Sequence, residues 1–298
     1  MKEGFKNPGD EAVAEFGWWY AHRFLILRRI SQFGILALFL AGPWFGLWIV
    51  KGNLASSLTL DLLPLTDPLV LLQVMGAGHW PEGAAILGAL IVLVFYLLVG
   101  GRVYCSWVCP INVVTDLAEW LRRKLHLRGS ANISSRSRYW LLGAILLLAL
   151  ASGSVAWELF NPVSMVYRGL VFGMGMAWGI VLAVFLLDLL IARRAWCGRL
   201  CPVGAFYGLL GKVAALRVSA VRREQCDDCM DCLAICPEHR VIIPALKGNG
   251  QSPMITSGQC TNCGRCIDVC ARDVFTFTHR FKTRLDVPGI NPKREVSS

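Results

Sequence analysis

Two runs of four cysteines near the C-terminus set the strictest limit on what this chain can fold into. Cys226, Cys229, Cys232 and Cys236 follow Cys-x2-Cys-x2-Cys-x3-Cys, with Pro237 next. Cys260, Cys263, Cys266 and Cys270 repeat the spacing, with Ala271 in place of proline. Three thiolates two residues apart wrap one small volume, and in the bacterial two-cluster pattern the fourth ligand comes from the other run. The spacing therefore assigns one [4Fe–4S] cluster to Cys226, Cys229, Cys232 and Cys270, and a second to Cys260, Cys263, Cys266 and Cys236. A zinc site would favour two separated Cys-x2-Cys pairs. Gly264 is expected to ease backbone packing around its cluster.

The chain has 12 cysteines, and the remaining four form two copies of Cys-x3-Cys-Pro: Cys105 with Cys109, and Cys197 with Cys201. An i, i+4 spacing puts both sulfurs on one helix face, but proline at 110 or 202 disfavours helix at the preceding cysteine. Each pair is therefore expected on a turn. Four thiolates from two such turns could hold a third cluster or another metal, since sulfur ligands suit these. They could equally act as redox dithiols or pack as buried apolar side chains.

Composition points to the bilayer. Of 298 residues, 55% are hydrophobic and 17% charged, against about 25% charged in a soluble domain. The deficit lies in residues 30–192. A helix needs roughly 20 apolar residues to cross the hydrocarbon core, and four segments qualify: Ile30–Val50, Ala84–Gly101, Tyr139–Val155 and Val171–Ala192. Lys and Arg outside them number five in 1–29, one in 51–83, seven in 102–138, one in 156–170 and sixteen after 192. The alternation places both termini and all the cysteines in the cytoplasm and the two poor loops outside, in the pattern of a multi-pass protein of the bacterial inner membrane. Thiols stay reduced on that side. The first run is too long for a signal h-region and no small-x-small cleavage site follows it. The net charge of +10 comes mostly from these flanks, with no basic stripe interleaved with aromatics, so nucleic acid is not expected as a partner.

The membrane part reads as a duplication. Arg102-Val-Tyr-Cys-Ser-Trp-Val-Cys-Pro aligns with Arg194-Ala-Trp-Cys-Gly-Arg-Leu-Cys-Pro, and Asp67-Pro68 with Asn161-Pro162. Parallel repeats usually pack about an axis along the membrane normal, which would bring the two Cys pairs together. The expected fold is an α-helical membrane protein of four transmembrane helices in two helix-pair repeats, followed by an α+β two-cluster ferredoxin-like domain. The divisions are 1–29 for a cytoplasmic N-terminal segment, 30–215 for the membrane domain, 216–280 for the ferredoxin domain and 281–298 for a tail.

Polar residues expected on the outer side are Asp61, Asp67, His79, Glu82, Glu158 and Asn161. A redox site that releases protons needs an acceptor near the membrane surface; His79, an imidazole, is one candidate general base, and Glu158, which follows the third span, is another. Asp188 lies inside the fourth span, where an acid is costly and often functional, unless it pairs with Arg193 or Arg194. His79, Glu158 and Asp188 are the candidate proton-handling residues.

From about Gly17 to Phe277 the chain resembles the NapH family, ferredoxin-type membrane components of periplasmic nitrate reductase systems. The resemblance is carried by Gly17-Trp-Trp, His22–Gln32, Gly42-Pro-Trp-Phe-Gly, Pro64-Leu-Thr-Asp-Pro, both Cys-x3-Cys-Pro segments and both ferredoxin runs. It implies quinol oxidation in a quinol dehydrogenase complex. Electrons would pass to a periplasmic NapG-type iron–sulfur protein, then to a diheme cytochrome and a molybdenum nitrate reductase. The clusters are expected in the cytoplasm and the acceptors outside, about 30 Å of hydrocarbon away. A second reading is an assembly or maturation factor for a respiratory metalloenzyme, in which the thiols reduce or hand over a metal. A third is a scaffold with structural clusters.

Overall fold

The computed structural model describes residues 7–127, 129, 131, 133–173, 175–246 and 252–281. Residues 1–6 of the N-terminal segment, Met174 of the fourth expected span and 282–298 of the tail lie outside the described residues.

Helix α1 (Asp10–Phe16) leads through Gly17 into α2 (Trp18–Phe45). This corrects the first expected span at both ends. His22, Arg23, Arg28 and Arg29 do not interrupt the helix, because Arg is a good helix former. Gly46, at φ 74°, stops it, and Val50 already begins a strand. Strands β1 (Val50–Gly52), β2 (Ser56–Thr59) and β3 (Leu63–Thr66) form an antiparallel sheet in that order. The Val50↔Thr59 and Thr59↔Leu63 pairs fix its register. Helix α3 (Pro68–Gly76) follows, then α4 (Gly83–Val99). Strand β3 packs along α4, and Gly88 makes room for it: a Cβ there would meet the Pro64 backbone at 3.0 Å.

Next come α5 (Ile111–Lys124), α6 (Ser137–Ser152), α7 (Pro162–Phe172), α8 (Gly175–Leu186) and α9 (Pro202–Gly211). Strand β4 (Leu216–Ser219), α10 (Asp231–Ile235), α11 (Arg265–Asp268) and β5 (Thr276–His279) complete the order. Among the described residues, α2 is the one helix long and apolar enough to cross a membrane; α4, α6, α9 and Gly175–Ile191 are shorter apolar helices.

The two loops expected to lie outside are folded. Asp67 and Asn161 cap α3 and α7 in near-identical backbone geometry, φ −65° in both, each accepting the N–H two residues on, with Pro68 and Pro162 at the first helical positions. Proline fits there because that N–H has no partner inside the helix in any case.

The described residues divide into two compact units. One comprises those within Met1–Phe24, Ala215–Ser257 and Gly264–Ser298; the other, those within Leu25–Ala214 and Gly258–Cys263. The sequence division differs in two ways. The N-terminal residues through Phe24 group with the ferredoxin runs, and the segment 258–263 groups with the helices. In the first unit β4 pairs antiparallel with β5, and the N-terminal segment is tied down by Gly9 N–H to Asp231 (2.9 Å) and Phe24 N–H to Asp268 (3.2 Å). The core of the second unit gathers Leu69, Tyr96, Tyr104, Cys109, Leu142 and Tyr207. Its helices also leave large apolar side chains uncovered, among them Phe33, Leu90, Leu147 and Leu182.

Candidate metal centres

In the ferredoxin unit, Cys226, Cys229, Cys232 and Cys270 line one cavity together with Val269, Val274 and Phe275. The loop that carries the first three turns through Asp228 and Met230, both in the left-handed region at φ 59° and 65°. The second run has the same two left-handed positions, Asn262 and Gly264, at φ 46° and 72°. At Gly264 only glycine fits, since a Cβ would stand 2.4 Å from the Phe24 ring. Burial pushes the Cys232 thiol up to about 12, and the neighbouring thiols Cys270, Cys229 and Cys226 add to this. Thiolates gathered this closely around Cys232 are stabilised by a positively charged group, which an iron centre supplies when bound. Zinc holds its sulfurs about 2.3 Å away on one point, whereas a cubane with iron at its corners wants them spread around a cavity. The donor set fits an iron–sulfur cluster.

Cys260 and Cys263 sit on the 258–263 segment of the helical unit, Cys266 lies in α11 and Cys236 ends α10. The 258–263 segment is held closely within its unit. Arg102 donates to the Gln259 carbonyl and side chain, both at 3.1 Å, and to the Cys197 carbonyl at 2.8 Å. Ser106 Oγ donates to the Thr261 carbonyl at 2.8 Å, and Trp107 Nε1 to the Asn262 carbonyl at 3.2 Å. Gln259 donates to the Tyr139 hydroxyl at 2.8 Å. Every one of these partners lies in or next to a Cys-x3-Cys-Pro segment or a helix that packs on one.

Those segments are π-helical turns rather than simple turns, Tyr104–Val108 and Trp196–Leu200. Cys109 N–H reaches the Tyr104 carbonyl at 3.0 Å and Cys201 N–H the Trp196 carbonyl at 2.8 Å. Proline then forces Cys109 and Cys201 into extended conformation, at ψ 119° and 116°, as the residue before proline must be. Such a turn leaves carbonyls without partners, and a buried one needs a donor. Buried polar side chains supply them. Arg28 Nε and Gln32 Nε2 donate to the Ser106 carbonyl at 3.0 and 2.9 Å, and Arg138 to the Gly198 carbonyl at 3.0 Å. Residue patterns alone classed these arginines as membrane-flanking charge; their role as turn supports was missed. The one signal was that Arg102 and Arg194 occupy the same offset before each Cys pair.

Cys109, Cys197 and Cys201 each sense the charge of other thiols of these turns. Burial is the main reason that the Cys109 and Cys197 thiols are pushed well up; Cys109 also feels Cys105 and Cys201, and Cys197 feels Cys109, Cys201 and Cys105. Cys109 lies in the core of this unit, and Cys105, Cys197 and Cys201 pack against the same core. Arg102→Met would remove the bridge between Cys197 and Gln259. Leaving buried carbonyls unsatisfied costs about 1–3 kcal/mol each, so a loss of about 2–5 kcal/mol is expected. A denaturant titration in detergent with iron release as the readout checks this.

The candidate proton-handling residues are scattered. His79 is exposed and its Nε2 lies 3.2 Å from the Gly153 carbonyl. Glu158 accepts from Asn161 Nδ2 at 2.9 Å and from the Ser164 hydroxyl. Of the two arginines neighbouring Asp188, Arg193 pairs with Glu119 at 2.6 Å and Arg194 with Asp116 at 2.7 Å. Asp188 accepts the Trp196 N–H at 2.9 Å and so holds the start of the second Cys turn. Asp67, placed outside by its sequence position, accepts from the Tyr207 hydroxyl at 3.3 Å, six residues beyond Cys201. Burial pushes its carboxyl up to about 6, against the Leu69 N–H bond, with the charge of Glu158 adding to the rise.

Comparison with known proteins agrees with this distribution of cysteines. The 4Fe-4S binding domain family matches twice, over residues 82–128 and 174–222, one match on each Cys-x3-Cys-Pro segment, and the 4Fe-4S dicluster domain family matches 225–280. Ferredoxin-type protein NapH of Escherichia coli is 50% identical over 93% of this chain and 97% of its own length. NapH of Haemophilus influenzae is 50% identical over 94% of this chain and 98% of its own. Methylamine utilization ferredoxin-type protein MauN of Paracoccus denitrificans is 55% identical over 91% of this chain and 95% of its own. No solved structure matches. Identity at this level over nearly the whole length means that the chain belongs to the family of 4Fe-4S ferredoxin-type electron-transport proteins that includes NapH and MauN.

Proposed function

We propose that this protein is a membrane electron-transfer subunit that oxidises quinol and relays the electrons through its iron–sulfur centres toward a periplasmic NapG-type iron–sulfur partner. In a nitrate-respiring system that partner would pass them on to a diheme cytochrome and a molybdenum nitrate reductase. The observation that carries the reading is the bolting of the 258–263 segment, with Cys260 and Cys263, onto the two Cys-x3-Cys-Pro turns through Arg102, Ser106 and Trp107. A maturation factor that hands over a metal needs thiols that can be reached. Here the Cys105, Cys109, Cys197 and Cys201 thiols are part of a packed core that continues into a ferredoxin loop, which is the layout of a relay.

In this reading Cys226, Cys229, Cys232 and Cys270 hold one [4Fe–4S] cluster and Cys260, Cys263, Cys266 and Cys236 a second. Cys105, Cys109, Cys197 and Cys201 hold a third centre. When bound, these groups supply one-electron acceptors. The residues of the chain fix their positions. Four spans in the inner membrane, with both termini cytoplasmic, remain part of the proposal. The uncovered apolar faces of α2, α4, α6 and Gly175–Ile191 support it, because soluble proteins rarely expose apolar patches of that extent. The MauN relatives favour a wider range of final acceptors than nitrate reductase alone, since they carry a name from methylamine utilization at 53% and 55% identity.

Addition of a reduced quinol analogue to the purified protein is expected to bleach the cluster absorption and give a reduced-cluster EPR signal. If the clusters stay oxidised, and a strain without the protein keeps normal quinol-dependent reduction of its terminal acceptor, the reading fails.

A further inference from the structure

Within the helical unit, one cavity of about 300 Å³ opens between α2, the β1–β3 sheet, α4 and α9. We infer that this cavity binds the quinol head group, with the free carboxylate oxygen of Asp67 accepting a hydrogen bond from one quinol hydroxyl. The inference rests on the quinol-oxidising reading above and gives it a location.

The size suits a substituted six-membered ring, at the lower end of the roughly 300–1,000 Å³ of small-molecule pockets. The walls suit its chemistry. Tyr96, Tyr104 and Tyr207 line it, with Tyr104 and Tyr207 stacked at 5.1 Å and Tyr96 edge-on to Tyr207 at 4.9 Å. Flat aromatic faces bind a flat ring by offset stacking. The mouth suits its tail. Leu38 lines the cavity and is also 44% exposed on the apolar outer face of α2, so an isoprenoid chain could leave sideways into lipid.

Asp67 is the acid on the cavity wall. Both of its hydrogen bonds among the described residues, from the Leu69 N–H and the Tyr207 hydroxyl, fall on Oδ1, which leaves Oδ2 for a ligand. The cap itself does not require an acid. Asn161 makes the same turn, the same cap and the same proline start at the sister position, and Asn and Asp are equally good helix caps. An acid kept where an amide would fold as well, on the wall of an aromatic cavity, is explained by a ligand with a hydroxyl to give. The neighbours are right for the electrons too: Tyr104 directly precedes Cys105 in the chain.

The test uses the purified full chain and two variants. Asp67→Asn keeps the cap and removes the carboxylate; Val92→Trp fills the cavity from α4. Binding of a non-oxidisable quinol analogue is measured by fluorescence quenching, and an azidoquinone is photocrosslinked and its site mapped. Iron content and thermal midpoint monitor folding. The expected result is label on residues 35–39 or 57–67, affinity at least about tenfold weaker in Asp67→Asn with iron content unchanged, and no binding in Val92→Trp. Wild-type affinity in both variants, or label confined elsewhere, overturns the inference. So does displacement of the label by phospholipid but not by quinone, which would make the cavity a lipid site. Failure of the functional reading looks different: label maps to the cavity, yet quinol never reduces the clusters of the wild-type protein.

Discussion

Cys270→Ser is expected to cost the protein the cluster of the other run. If ligands are exchanged between runs, the lost cluster is the one whose remaining thiols are Cys226, Cys229 and Cys232, the three that share a cavity with Cys270. Iron should fall from its wild-type content by about four atoms per chain, one [4Fe–4S] unit. The double variant Cys226→Ser/Cys270→Ser should lose no more than either single one, because both remove the same group. Cys260→Ser/Cys270→Ser should lose about eight. This non-additivity pattern separates exchange from two self-contained runs, for which Cys270 and Cys260 would be the pair that acts as a unit. Iron and sulfide quantitation with EPR reads it directly.

The second large effect lies in the charge network beneath the Cys turns. Asp116 forms an ion pair with Arg194 at 2.7 Å and accepts from Arg28 at 3.3 Å and also from Arg29. Burial alone would raise its carboxyl, but the charges of Arg194, Arg28 and Arg29 outweigh it and hold the group down at about 2. Asp116→Ala would leave three clustered guanidinium groups uncompensated, two of them with side chains no more than 14% exposed. Removing one partner of a buried ion pair costs about 3–5 kcal/mol, and a similar loss is expected here. The pH dependence has a defined sign. The folded pKa lies below the unfolded value of about 3.9, so the stabilisation is fully present above that value and is lost as pH falls toward 2. Denaturant midpoints in detergent check both points: the wild type should weaken below pH 4, and Asp116→Ala should show less of that acid sensitivity. A loss under about 1 kcal/mol, within the range of exposed ion pairs, would mean that the network is solvated.

How much of this was legible in the sequence depends on how local the cause is. The ferredoxin runs are legible because a cluster imposes ligand spacing on consecutive residues. The two proline-started caps are legible as an aligned pair because Asp67-Pro68 and Asn161-Pro162 carry their geometry in two adjacent residues. The approach of Asp67 to Tyr207 is not legible, since it depends on a loop that folds back to meet a residue 140 positions on. Hydropathy assigned that loop to the outer face because it lies between apolar runs, and no local rule says that β3 will run down α4. Asp188 shows a different limit: an acid in an apolar run reads as a candidate proton site, but the sequence does not show that its carboxylate also holds the backbone of Trp196. The arginines failed for a related reason. Counting charge around the spans gives orientation, but it cannot distinguish an arginine in the headgroups from Arg138, which is 2% exposed and bonded to Gly198.

The extended conformation that proline imposes on Cys109 and Cys201 has an electrical consequence. Each sulfur comes to rest at the start of a helix. Gly204 N–H points at Cys201 Sγ at 3.4 Å, and the backbone N–H groups of Ile111 and Asn112 serve Cys109 in the same way. The positive ends of α5 and α9 therefore both bear on one group of sulfurs. Donors aimed at ligand sulfur stabilise added negative charge, and they are among the factors that set the potential of an iron–sulfur centre. A centre held on these turns, as proposed, would be shifted toward easier reduction by a bias that two prolines write into the backbone.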